Sequence, residues 1–479
     1  MRFEAGFVLT KFSYLRLLTR HCSLLIFPPL NHFKMKTELQ QLKINGAVLQ
    51  AGDAGYDNAR KVWNGMIDRK PALIAQCTNA DDIVECVKFA RKNNLVVSIR
   101  GGGHNVAGNA VCEKGLMIDL SKMKEIKIDV ADKTATAEPG VILREFDAAT
   151  IQHGLATTGG TVSDTGLAGL TLGGGLGWLM GRYGITADNL LAAEMVLANG
   201  EQVKVDENNH PDLFWAIRGG GGNFGIVSKF KYQLHSFGPN VVAGMILYPM
   251  KQAKAVMQFY REYARSMPDE LMAYSGFIVS PDGLPVTFVL PAWLGNIEDA
   301  EKHLAPIRAF GTPLADMISE IPYTALQSIL DAAAPAGIRR YWKSGYFTEL
   351  SDELLDIVLK HVATRPSPLS PVLFFHMRGA AARTATEATA FGNRRDQWDS
   401  DIISQWLDSA DDEKNISWTR NFWKEIEPLT NGVYVNHLGS DDDPRVANAY
   451  GSNFERLKAI KKKYDPDNFF RMNNNIKPA

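Results

Sequence analysis

Apolar and polar positions change their period repeatedly between residues 72 and 238. Ala72 to Ala75 is a short apolar run that predicts a buried strand. Asn79 stands where an N-cap is needed, and Ile83, Val87 and Ala90 recur on one face, which predicts a helix. Leu95 to Ile99 is again continuously apolar apart from Ser98 and runs into Gly101-Gly102-Gly103, so these elements predict a β-α-β unit feeding a glycine turn. Strands over Leu116–Leu120 and Thr134–Ala137 follow, and a helix from Val141 to His153 stops at Gly154. Asn199-Gly200 predicts a hairpin, Asp212–Arg218 a short helix and Ile226–Tyr232 a strand.

The texture changes near Gly238-Pro239. Helical segments over Gln252–Ser266 and Ile297–Phe310 alternate with strands over Met272–Val279 and Pro285–Leu290, which predicts a separate α+β domain with antiparallel pairing. Asp408–Glu413 reads as a solvated acidic loop. At the end of the chain Tyr450, Phe454, Leu457, Ile460 and Tyr464 share a helical face that Asp465-Pro466 closes. Residues 1–34 differ from the rest. They scatter basic residues around Leu24, Leu25, Ile26 and Phe27 before Pro28-Pro29, an apolar run too short for a signal peptide, and Met35 opens ordinary soluble sequence. A disordered extension or a mis-called start is expected there; a targeting segment or an ordinary first helix are the other readings.

Composition narrows the function. A chain of 479 residues exceeds one core and predicts two or three domains. Its 52 basic and 53 acidic residues leave a formal charge of −1, which argues against a nucleic-acid binder and a polybasic membrane anchor. No stretch of 18 apolar residues predicts a membrane span. Four cysteines without a CxxC pair suit a reducing compartment, and the cytoplasm is expected. There is no HExxH, no compact metal-ligand spacing and no GxSxG, so neither a metal centre nor an esterase is expected. Gly220 to Gly225 satisfies GxGxxG, but a helix precedes it and a strand follows, the reverse of a Rossmann site. A GxxxxGK[ST] loop is also missing.

Glycine is the informative residue. Eleven of the 31 residues from Gly154 to Gly184 are glycine, and dense clusters sit at 101–103, 173–177 and 219–222. Such loops let a ligand approach the backbone, and successive N–H groups make a concave site for a pyrophosphate. Tyr341, Trp342 and Lys343 form an aromatic-basic cluster that reads either as substrate pocket or as core, while His153, His361 and His437 read as structural.

Ser98-Ile99-Arg100-Gly101-Gly102-Gly103-His104-Asn105 resembles the flavin-attachment loop of the FAD-linked oxidases of the p-cresol methylhydroxylase and vanillyl-alcohol oxidase superfamily, berberine-bridge-enzyme-like branch. Gly159-Gly160-Thr161, the run Gly166 to Trp178, Asp188-Asn189-Leu190 and Asp212 to Gly225 resemble the blocks that follow. Tyr450-Gly451, Tyr464-Asp465-Pro466, Asn468, Phe470-Arg471 and Asn473 to Ile476 resemble the branch's C-terminal signature, so the likeness spans about residues 68–238 and 430–479.

The resemblance implies an α+β protein: a two-lobed FAD-binding domain over 35–238, a substrate (cap) domain with an antiparallel sheet over 239–430, and a segment over 431–479 that returns to the first domain. It implies FAD linked through His104; Val162 stands where some members place a second linking cysteine, so a single covalent bond is expected. The amides of Gly101–Asn105 and Gly173–Gly177 are expected to hold the pyrophosphate and ring. Arg100, Gly108, Gly160, Thr161, Gly166, Gly169, Gly173, Gly174, Gly177, Gly225, Ile226, Asn473 and Asn475 complete the expected cofactor contacts. Tyr434 aligns with a tyrosine base of several members, a role that needs a neighbour to lower its pKa from about 10. The implied activity is hydride removal from a C–OH or activated C–H of a sugar, oligosaccharide or secondary metabolite, followed by reoxidation with O2, towards which the small Thr165 at the oxygen-access position tilts the reading. A dehydrogenase or reductase with another electron partner, and an inert flavin-binding protein, are the alternatives.

Overall fold

The computed structural model describes residues 42–479; the extension expected over 1–34 lies outside the described residues. The first sheet holds β1 (Ala47–Leu49), β2 (Leu73–Gln76), β3 (Val97–Arg100) and β4 (Leu116–Asp119) in the order β1-β2-β4-β3. Helix α1 (Ala80–Lys92) joins β2 to β3 and starts where expected, with the Asn79 side chain accepting from the Asp82 N–H. Ile83, Val87 and Ala90 are its fully buried face. The β-α-β unit is present, but its strands are not neighbours. Both β2 and β3 pair in parallel with β4, which lies between them. All four residues of β4 are buried, and a strand enclosed on both faces belongs in the middle.

The second sheet, antiparallel in the order β5-β6-β10-β8-β9, contains β5 (Ile126–Asp129), β6 (Thr134–Ala137), β8 (Leu190–Val196), β9 (Gln202–Val205) and β10 (Ile226–Gln233). A two-residue pair, β7 (Leu155–Ala156) with β11 (His235–Ser236), lies apart from it. Gly200 takes φ 84° in the predicted β8–β9 hairpin, a value that suits glycine. Helices α2 (Leu143–Ile151) and α3 (Pro211–Ile217) accompany this lobe.

The third sheet is wholly antiparallel. It contains β12 (Asn240–Ala243), β13 (Ile246–Pro249), β14 (Leu271–Val279), β15 (Pro285–Trp293), β16 (Ala315–Asp316), β17 (Ser319–Pro322), β18 (Arg339–Phe347), β19 (Val372–Met377) and β20 (Gln397–Trp406). Its central path runs β15-β14-β19-β20-β18. Helices α4 (Ala253–Arg265), α5 (Ala300–Arg308), α6 (Asp352–Val362) and α7 (Asp412–Ile426) cover one face. There Tyr260, Leu304, Leu355 and Phe422 pack with Phe374, Trp398 and Ile402 of the strands in one core. Side chains alternate across a strand, so Asp399, Asp401, Ile403 and Gln405 of β20 face the opposite way, towards the first two lobes.

The chain then returns to the first two lobes. Helix α8 (Phe454–Tyr464) packs on α3, and Tyr464 Oη donates to Asp212 Oδ1 at 2.9 Å.

Candidate active site

A cavity of about 1000 Å³ lies between the glycine loops and the inner face of the third sheet. The loop after β3 forms its first wall. Arg100, which ends the strand, turns away from the cavity and grips Asp119 with two hydrogen bonds of 2.6 and 2.9 Å. Gly101, Gly102, Gly103, His104 and Asn105 line the cavity. A Cβ on Gly102 would sit 2.5 Å from the Gly166 backbone, so the two loops touch main chain to main chain. The N–H groups of residues 101–105 find no acceptor among the described residues. Gly160, Thr161, Gly166, Gly169, Gly225 and Ile226 add to this wall.

Besides Arg100, and Asn475 described below, four expected contacts lie elsewhere. Gly108 turns its carbonyl to Arg69 Nη1 at 2.8 Å and does not line the cavity. The glycines at 173, 174 and 177 are also off the wall. Gly173 and Gly174 donate their N–H groups to Gly169 and Thr171 carbonyls, while Gly175 and Leu176 donate theirs to Tyr434 Oη. These four amides are therefore not free for a pyrophosphate, which corrects the expectation for 173–176. The glycines serve close packing instead: a Cβ at Gly173 would fall 2.0 Å from Asn436 Oδ1, and one at Gly177 2.0 Å from the Gly159 carbonyl.

The C-terminal segment supplies a further wall through Met472, Asn473 and Asn474, with Asn475 just off it. Asn473 Nδ2 donates to the Gly222 carbonyl at 3.0 Å and Asn474 Nδ2 to the Val435 carbonyl at 2.6 Å. The Oδ1 atoms of Asn473 and Asn475 are buried and accept nothing among the described residues. No lysine or arginine side chain lines the cavity among the described residues. Free amides, glycine-tight loops and orphaned asparagine oxygens fit FAD, whose pyrophosphate would be held by backbone dipoles rather than by side-chain cations.

The opposite wall belongs to the third sheet. Tyr274, Phe288, Leu373, Phe375 and Ile403 make it largely apolar. Of the cluster at 341–343 only Trp342 reaches the cavity. Strand alternation puts Tyr341 and Lys343 on the other face, where Tyr341 Oη donates to Asp441 at 2.5 Å and Lys343 Nζ lies 2.9 and 2.6 Å from Asp441 and Asp442.

Tyr434 is on the wall, but its surroundings oppose the role expected of it. Its Oη accepts from Gly175 N–H at 2.9 Å, Leu176 N–H at 3.4 Å and Asn436 Nδ2 at 2.8 Å. Burial outweighs these donors and raises its pKa to about 12, where a base needs it lowered.

The polar centre of this wall is one that sequence reasoning set aside. His437 Nδ1 lies 2.9 Å from Asp401 Oδ1 and 3.2 Å from Asp399 Oδ2. Burial alone would lower its pKa; Asp401 and Asp399 together overcome that and raise it to about 10. Burial, reinforced by Asp401, raises Asp399 above the usual carboxylate range. Trp342 Nε1 donates to Asp401 at 3.0 Å and Ser344 Oγ to Asp399 at 3.1 Å. The signal in the sequence was a pair of aspartates two apart in the otherwise buried strand Gln397–Trp406. His153 is exposed, and His361 is buried against Phe422 and Glu425.

A file of rings spans the cavity between the two histidines. His104 stacks on Trp63 at 4.2 Å, Trp63 meets Trp342 at 6.4 Å, and Trp342 stacks on His437 at 4.7 Å. Nε2 of His104 lies 3.1 Å from Asp164 Oδ1.

Known proteins place this architecture. Residues 71–206 match the family model described as FAD binding domain, and residues 433–477 match the one described as berberine and berberine like. The chain is 33% identical over 441 residues to an FAD-linked oxidoreductase of Dictyostelium discoideum, covering 91% of this chain and 95% of that protein. It is 29% identical over 464 residues to (R)-6-hydroxynicotine oxidase of Paenarthrobacter nicotinovorans, covering 91% and 98%. The crystal structure of 6-hydroxy-D-nicotine oxidase from Arthrobacter nicotinovorans superposes with a TM-score of 0.83 at 28% identity, over 91% of this chain and 99% of that one. A xylooligosaccharide oxidase from Myceliophthora thermophila in complex with xylobiose shares the fold, with a TM-score of 0.83 at 21% identity over 93% and 99%. The fold is thus shared with known oxidases, and this chain belongs to the FAD-linked oxidoreductases of the berberine-bridge-enzyme-like branch.

Proposed function

We propose that this oxidoreductase is an oxidase that carries FAD on His104 through a single covalent bond and oxidises a C–OH or activated C–H of a neutral or cationic organic molecule, with O2 as the final acceptor. The observation that carries the reading is the contrast between the two walls: unengaged amides and His104 on one side, aromatic rings with Asp399, Asp401 and His437 on the other. Bound FAD supplies a two-electron acceptor. The protein's own contribution is to orient the substrate between Tyr274, Phe375 and Trp342, to exclude water with that apolar lining, and to receive a proton.

Substrate charge follows from the lining. Two carboxylates and no lysine or arginine at the wall disfavour an anion and admit sugars, oligosaccharides, amines and neutral secondary metabolites. Relatives and neighbours carry names such as 6-hydroxynicotine oxidase and chitooligosaccharide oxidase, which sets the first panel to try. Thr165, small and on the cavity wall, leaves room for oxygen. Among the described residues Cys77, Cys86 and Cys112 are buried free thiols, with Cys77 Sγ 3.8 Å from Cys86 Sγ and no disulfide between them, which suits a reducing compartment such as the cytoplasm.

The experiment is acid precipitation of the purified protein, followed by a peroxide assay on 6-hydroxynicotine, chitobiose, xylobiose and aryl alcohols in air. A yellow pellet that His104→Ala turns colourless supports the linkage, and peroxide release supports the oxidase. Yellow supernatant removes the covalent bond. Flavin that bleaches with substrate yet stays reduced in air removes oxygen as the acceptor.

A further inference from the structure

We propose that Asp399, Asp401 and His437 act as one proton-accepting unit, with His437 Nε2 as the atom that takes the substrate's proton and Tyr434 as a positioning residue. This rests on the oxidation proposed above and goes further by assigning the proton.

The argument begins with charge. Asp399 is 1% exposed and Asp401 7%, and among the described residues His437 is the one basic group bonded to either of them. Lys343, on the adjoining strand, is turned to Asp441 and Asp442 on the other face. The other described groups facing the trio are uncharged: Ser344, Trp342 and Tyr346 from β18, Leu373 and Phe375 from β19, Tyr274 from β14 and Tyr434 from the histidine's own segment, burial holding the Tyr274 and Tyr346 phenols well above the ordinary tyrosine value. Two carboxylates with one imidazolium leave a net charge of −1 in a buried place, which is costly until one more proton neutralises it.

Geometry supplies the route. The Nδ1–H bonded to Asp401 fixes the ring, Trp342 supports its face, and Nε2 has no partner among the described residues while the ring lines the cavity. In the net −1 state the proton that the trio shares can sit on Asp399 rather than on Nε2, with the Nδ1–H kept on Asp401, and that tautomer leaves the Nε2 lone pair facing the substrate. As the substrate's C–H electron pair leaves as hydride for the cofactor, its O–H or N–H proton passes to Nε2 and the C=O or C=N bond forms. The trio then stands at zero net charge, and atoms and electrons balance. Tyr434 cannot share this work as a phenol: its oxygen accepts three N–H groups and joins the 173–177 segment to Asn436.

The test has two arms. In holoenzyme labelled with 15N-histidine, the resonance lost in His437→Gln identifies His437. It should keep its Nδ1–H from pH 6 to 9, and Asp401→Asn should lower its titration by about 1–3 pH units. An ordinary imidazole titrating near 6.5 and indifferent to Asp401→Asn overturns the unit. In the second arm, anaerobic bleaching is timed with whichever panel compound bleaches the flavin fastest. His437→Gln should slow it by about 10²–10⁴-fold at unchanged flavin content. Tyr434→Phe should stay within about tenfold of wild type, and Asp399→Asn should move the acid limb of the pH profile. Normal bleaching in His437→Gln beside a dead Tyr434→Phe returns the base to the tyrosine and overturns the proposal. If no panel compound bleaches the flavin, the oxidation reading fails and the titration alone decides the unit.

Discussion

Asp147 is a carboxylic acid shut away in the core. It lies on α2, 2% exposed, and its one side-chain partner among the described residues is Gln327 Nε2, which donates to Oδ2 at 2.8 Å. Burial raises its pKa to about 7, with the glutamine bond pulling weakly the other way. Its unfolded value is about 3.9, so between these two values the folded chain holds a proton that the unfolded chain has lost. Stability therefore falls as pH rises from about 4 to 7 and levels off above, a loss of roughly 4 kcal/mol for a shift of about three units. Asp147→Asn keeps the shape and cannot ionise; its melting temperature should exceed that of wild type at pH 8 and match it near pH 3, below both pKa values, and equal melting at pH 8 would sink this account. Gly102 makes a second residue-scale case. A methyl there meets backbone 2.5 Å away on the facing loop, so Gly102→Ala should cost about 1–3 kcal/mol in denaturant melts and lower flavin content as the loops part.

At the scale of elements, α8 is held by a charge pair with no exposure at all. Lys461 Nζ lies 2.6 Å from Asp465 and donates to the Asn223 and Phe470 carbonyls at 2.7 and 2.9 Å, while Asp465 accepts from the Phe469 and Phe470 N–H groups. The helix is thereby tied to the Gly220–Asn223 turn and to the final segment. Lys461→Met leaves a buried carboxylate without its cation and should destabilise by about 3–5 kcal/mol, whereas Lys461→Met with Asp465→Leu should recover part of that. Guanidinium melts of the two variants decide it. Such elements were the legible part of the sequence: Asn79 with Ile83, Val87 and Ala90 set α1, and Phe454, Leu457 and Ile460 set α8, because cap and period are local properties. Strand order was not local. Nothing within Leu116–Asp119 says that it separates β2 from β3, and nothing near Asp399 says that Ser344 and Tyr346 flank its strand. The loop at 101–105 and Gly160, Gly166 and Asn473, singled out as motifs, do stand on the cavity wall. The glycines at 173–177 misled, because the pattern that makes an anion cradle also lets Tyr434 and Asn436 come close. His437 stayed hidden because its partners come from a strand 36 and 38 residues earlier.

For the whole molecule, the cavity is a meeting place of segments distant in sequence: Trp63 and the 101–105 loop, the 160–169 loops, the third sheet, Tyr434 to His437, and finally Met472 to Asn474. No helix among the described residues is long and apolar enough to cross a membrane. The closing segment holds on through Asn473 and Asn474, and through the Ile476 N–H, which donates to Asn223 Oδ1 at 2.9 Å. Ending the chain at Arg471 should therefore leave the third sheet folded by circular dichroism yet sharply reduce bound flavin; full flavin content in that truncation would contradict the role given to the segment. The same arrangement sets a schedule for biogenesis. Domains fold as the ribosome delivers them, first lobes first, but the last wall of this cavity, Met472 to Asn474, is made after every strand of the third sheet. A chain arrested before Met472 would therefore carry folded first lobes beside a site still open on one side, and early folding alone would not retain flavin.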